Sequence, residues 1–212
     1  AEPELPLSRR ASVLALVAIA LSGFAGLGLE VAWIRILALM LGSTAQAFAV
    51  MLSVFILGIA LGSAWISRAG RRGRGTLAGR DPLLALALLL SSAAIALALT
   101  LPLYERAIHL FARLSSALPR TGGGYALYQL ITFGACLALM IGPTLALGAT
   151  FPLVARAAMR TRASMGERVG LTYAVNTIGT IAGAICAAAL MPRTGLHGLF
   201  VTELFVLTVA AC

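Results

Sequence analysis

The chain has 212 residues, of which 60% are hydrophobic and 11% charged, with a mean hydropathy of +0.99. A soluble domain carries roughly 25% charged residues and about 45–50% apolar ones. A water-exposed fold of this size cannot hide the excess apolar surface, so a soluble globular class is excluded. The net charge of +9 comes from 16 basic residues, all Arg. Most lie in short segments between apolar runs, with no basic stripe interleaved with aromatics, so nucleic acid is excluded as a partner.

A bilayer core of about 30 Å needs roughly 20 apolar residues in a helix. By that measure the sequence predicts an all-α, polytopic membrane protein: a single domain of about six transmembrane helices. The predicted spans are 12–29, 45–67, 82–103, 125–154, 171–191 and 196–212. None shows the ten-residue alternation of a barrel strand. The first run has no small-residue cleavage site and reads as a retained helix rather than a signal peptide.

Two connections look like more than turns. Glu30–Leu41 is amphipathic, and the expectation is an interfacial helix with Trp33 at headgroup depth. Leu101–Leu118 mixes Tyr104, Glu105, Arg106, His109 and Arg113 with apolar residues, which predicts a second surface helix. Thr121–Gly124 reads as a flexible turn. The last segment ends apolar, without a polar flank, so a further domain beyond Cys212 is expected.

Arginine sets the expected orientation. With the N-terminus inside, the inner segments hold Arg9, Arg10, Arg68, Arg71, Arg72, Arg74, Arg80, Arg156, Arg160, Arg162 and Arg168. The outer ones hold only Arg35, Arg106, Arg113, Arg120 and Arg193. The rule that cytoplasmic loops are basic then puts the N-terminus in the cytoplasm.

Polar residues inside the apolar frame are the candidate site. Glu30 follows a run containing Gly23, Gly26 and Gly28, and a carboxylate there must pair or face water. Arg35 is its nearest partner in sequence, but five residues is a poor same-face spacing on one helix. An interfacial ion pair and a site for a cation are both open readings. Asn176 lies in the first half of the fifth span, where an amide bonds a neighbouring helix or a substrate. Glu203, seven residues into the last segment, is either buried against a helix or near the outer interface. Gly58/Gly62 and Gly179/Gly183 form two GxxxG pairs, which let helix backbones approach closely. Pro143 and Pro152 interrupt the fourth span, each freeing a carbonyl and permitting a kink. Tyr125, Tyr128 and Tyr173 are plausible interface anchors.

No catalytic set is present: there is no nucleophile–base pair, no phosphate-cradling loop and no pair of catalytic carboxylates. His109 and His197 lack metal-ligand company, and Cys136, Cys186 and Cys212 read as small buried hydrophobes. No cofactor and no metal are expected.

The stretch Ser22–Ser63, with its core of Gly28, Glu30, Trp33 and Arg35, resembles the membrane domain of the multi-pass bacterial spermidine-synthase-like proteins, also described as fused major-facilitator/spermidine-synthase proteins. Gly142–Ala157, Arg168–Ala184 (with Asn176, Thr177 and Gly179) and Met191–Gly198 resemble the same family in the same order. The resemblance implies a membrane bundle in a bacterial inner membrane, followed by a cytoplasmic aminopropyltransferase domain. The Gly-rich nucleotide loop and acidic diamine site of that domain are absent from this sequence, so no transferase residue carries over. The first expectation is therefore a membrane-anchoring or structural domain or subunit, meeting the lipid bilayer, other membrane subunits or a cytoplasmic domain. The alternative is a secondary transporter, or half of one, for polyamines or another organic cation, with Glu30 holding the amine.

Overall fold

The computed structural model describes residues 9–41, 44–71, 81–117, 122–158 and 165–212. The described chain is all-helical: α1 Arg9–Leu41, α2 Thr44–Arg71, α3 Pro82–Ala117, α4 Gly122–Ala158 and α5 Met165–Ala211. All five are long and apolar enough to cross a membrane. The arginine-rich segment 72–80, together with Arg120, Thr121, Arg160 and Arg162, lies outside the described residues, as do the side chains of Glu105 and Tyr125.

α5 accounts for the sixth helix. At 47 residues it would be about 70 Å long as one rod, twice the thickness of a bilayer core. It is broken at Gly195, whose φ of 70° and ψ of −175° fall in a region essentially only glycine adopts. The glycine contacts show what the break does. Gly179 lies against Ala20, and Gly183 against Phe24, so the arm before Gly195 runs parallel to α1. One turn further along α1, Gly28 lies against Glu203. On an unbroken helix Glu203 would be about 30 Å past Gly183, but Gly28 is only about 6 Å past Phe24. The chain therefore reverses at Gly195 and returns along α1. Pro192 lacks the N–H that would bond the Ala188 carbonyl. Two carbonyls at the end of the first arm gain side-chain donors: Arg193 Nη1 donates to Ala189 O at 2.5 Å and Thr194 Oγ1 to Leu190 O at 3.2 Å.

The two predicted interfacial segments do not form separate elements. Glu30–Leu41 continues α1, and Leu101–Ala117 continues α3. Their amphipathic pattern has a different cause: each turns an apolar stripe into the bundle. Trp33, Ile36 and Leu37 are buried on α1, and Tyr104, Ala107 and Phe111 on α3. Trp33 is wholly buried among the helices rather than lying on an exposed interfacial face. Gly122–Gly124 likewise opens α4 rather than making a turn. Tyr173, at 64% exposure, sits on the outer face of the bundle.

Glycine sets the closest helix contacts. Gly58 and Gly62 lie against Thr144 and Leu145, and Gly148 against Ile59, so α2 and α4 run side by side and parallel. At one end of this pair Gln46 Nε2 donates to Gln129 Oε1 at 2.6 Å. Added Cβ atoms at Gly62, Gly148, Gly179 and Gly183 would meet backbone rather than flexible side chains. Small residues let these pairs of helices touch without a hydrophobic driving force between them.

Candidate functional site: a cleft beside a sealed aromatic node

The centre of the bundle is a node to which every helix contributes. Trp33 Nε1 on α1 donates to Tyr104 Oη on α3 at 2.7 Å. Tyr104 Oη in turn points at the Leu139 carbonyl on α4, 3.5 Å away. Pro143, four residues on, has no N–H to bond that carbonyl, so the tyrosine occupies the position proline vacated. α4 nevertheless remains one helix through both Pro143 and Pro152. The Tyr104 ring stacks on Phe200 of the returning α5 arm, with centroids 5.0 Å apart and planes 13° apart. Trp33 meets Phe55 of α2 edge-on at 6.1 Å. Sequence reasoning missed Tyr104 and Phe200. The freed Leu139 carbonyl was the available signal, because a buried acceptor demands a donor.

One helical turn before Trp33, the packing opens. A cleft with a volume of about 350 Å³ lies among α1, α2, α4 and the first arm of α5. α1 contributes Ser22, Gly23, Gly26 and Glu30. Phe55 and Ser63 of α2, Thr150 and Phe151 of α4, and Tyr173 and Asn176 of α5 complete the wall. Phe55 is therefore shared between cleft and node. Most of the lining is apolar, and the volume falls within the roughly 300–1,000 Å³ of small-molecule sites.

Two of the four sequence candidates meet here. Glu30, half-buried, and Asn176 line the same cleft. The cleft hydroxyls of Ser22, Thr150 and Thr180 are turned back to their own helices, donating to Ile19 O, Leu147 O and Asn176 O. Glycine shapes the space in two ways. At Gly23 a Cβ would lie 2.5–2.9 Å from Asn176 and Thr180, so this glycine lets α5 approach. At Gly26 a Cβ would meet nothing within 4 Å, so this glycine leaves the cleft empty.

The other two candidates lie elsewhere. α1 is unbroken, so Glu30 and Arg35 are about 140° apart around it. Arg35 is exposed, and no ion pair joins them. Glu203 lies on a third front: it is 0% exposed, pressed against Gly28, and neither carboxylate oxygen has a hydrogen-bond partner. Since residues 28 and 30 are about 200° apart on a helix, α1 stands between the two carboxylates. No group of three His, Cys, Asp or Glu able to hold a metal occurs among the described residues.

No family model, characterised protein or solved structure matches this chain.

Proposed function

We propose that this chain is the membrane domain of a spermidine-synthase-like protein, and that its bundle holds an organic cation in the cleft beside Glu30. The observation that carries the reading is an unpaired carboxylate facing an open cavity between membrane helices. Such a group is expensive unless it meets a counter-charge or water. The Asn176 amide lies on the same wall, and Phe55, Phe151 and Tyr173 offer aromatic surface to an ammonium or its alkyl body. With one carboxylate in the lining, one positive charge is matched. A monocation, or one end of a polyamine, fits better than a compact polycation. On this reading the end bearing Arg10, Arg68 and Arg168 faces the cytoplasm of a bacterial inner membrane, by the excess of arginine there.

The test is saturable binding of radiolabelled tetraethylammonium, putrescine and spermidine to the purified chain in lipid nanodiscs. Glu30→Gln removes the charge, and Gly26→Leu puts a side chain into the cleft at a position where an added Cβ meets nothing within 4 Å. Both should reduce binding at least about tenfold, a loss of roughly 1.4 kcal/mol, while the bundle stays folded. Unchanged binding in both variants would end the cation reading.

A second reading, a purely structural anchor for a transferase domain or membrane subunit, is favoured by the sealed node joining all the helices. It predicts no saturable cation binding in any variant. Intact mass of the protein from its native membrane separates these cases further. A mass well above 21.8 kDa with a soluble transferase-like domain would support anchoring, whereas stoichiometric membrane partners would support a small subunit.

A further inference from the structure

Past Tyr104, where the apolar span of α3 ends, α3 carries two stripes of the same spacing. Tyr104, Ala107 and Phe111 are buried. Arg106, His109 and Arg113, two residues on in each case, are exposed. Spacings of three and seven residues place these three basic side chains within about 60° of one another around the helix. They edge a groove of about 780 Å³ between α3 and α4, whose apolar wall includes Leu103, Ala135 and Leu139. Leu103, Ala135 and Leu139 all fall within the apolar spans of α3 and α4; the three basic residues lie just beyond the α3 span. The groove thus runs across the end of the α3 apolar span, apolar on one side and basic on the other.

We infer that this groove is a binding site for an anionic phospholipid. The phosphate would lie against Arg106 and Arg113, with His109 as a further donor between them, and an acyl chain would run along the wall toward Leu139. A planar guanidinium grips phosphate through paired N–H donors. A lipid with a choline headgroup would bring a second cation to the same basic edge, so the site favours net-negative lipids. A free phosphate ion would leave the apolar wall unused. Basic pockets between membrane helices at the level of the headgroups are built for this class of ligand. The site is separate from the Glu30 cleft and does not depend on it.

Native mass spectrometry of the whole chain, released from detergent containing equal phosphatidylglycerol and phosphatidylcholine, tests the proposal. Phosphatidylglycerol should be retained preferentially. Arg106→Gln/Arg113→Gln should lose at least about fivefold in retention, given that each basic residue near a membrane surface contributes about a factor of five. Arg168→Gln, near the opposite end of the bundle, should retain lipid as the parent does. A photoactivatable phosphatidylglycerol should crosslink to peptides containing residues 103–113 in the unaltered protein, a readout that survives even if the double variant does not fold. Equal retention of both lipids, or crosslinks confined to other helices, would overturn the proposal. Displacement of the lipid by millimolar inorganic phosphate would assign the basic groups to a soluble anion and overturn it equally.

Discussion

The cleft and the aromatic node lie one helical turn apart on α1 and share Phe55, yet they treat polar groups in opposite ways. At the node the Trp33 N–H meets the Tyr104 hydroxyl, which faces the carbonyl left open by Pro143, and aromatic rings close over both. In the cleft the Glu30 carboxylate faces empty space, while the neighbouring hydroxyls are spent on their own helices. In a low-dielectric interior an unpartnered polar group is costly, so a fold built only for stability would resemble the node throughout. That the cleft does not is the physical reason to look there for a ligand.

Breaking the node should have the largest effect. Trp33→Ala deletes a wholly buried indole and takes the donor from Tyr104. Loss of about 3–5 kcal/mol is expected, read as a lower midpoint in reversible unfolding in mixed micelles. A loss under about 1 kcal/mol would mean that the node is not the keystone of the bundle.

Glu203 sharpens the contrast, because among the described residues it is the one carboxylate enclosed without a hydrogen-bond partner. Glu203→Met keeps the shape and removes the unsatisfied oxygens. It should raise stability by about 1–3 kcal/mol in the same assay. Destabilisation instead would show that the carboxylate has a use that outweighs its burial.

The smallest effect belongs to Glu30 and Arg35. The two side chains do not pair, so the stability changes of Glu30→Gln and Arg35→Gln should add within about 0.5 kcal/mol in the double variant. A coupling above about 1 kcal/mol would show that the pair forms in the membrane and would close the cleft to a cation.

How much of this was legible in the sequence varies with the range of the interaction involved. The apolar spans were readable because their length is set by the bilayer and their composition by lipid. The exclusion of a soluble fold followed for the same reason. The glycine pairs could be recognised as packing devices, but nothing local assigned Gly58/Gly62 to α4 or Gly179/Gly183 to α1. Residues 30–41 and 101–117 show why amphipathicity alone misled. A helix with one apolar and one polar face can lie flat on a membrane or stand upright with its apolar face against neighbours. Periodicity is identical in the two cases.

By itself, then, the sequence determined that this is a helical, membrane-compatible chain, roughly where its apolar runs lie, and that Glu30, Asn176 and Glu203 are anomalous in an apolar frame. Only the tertiary structure decided what each anomaly is. Reversal at Gly195 brings Glu203 back against Gly28, and the parallel approach of α5 to α1 brings Asn176 onto the wall that holds Glu30. The space beside Gly26 is bounded by residues of four helices. Composition and period are local properties of a chain, whereas burial, pairing and vacancy depend on residues far apart in sequence.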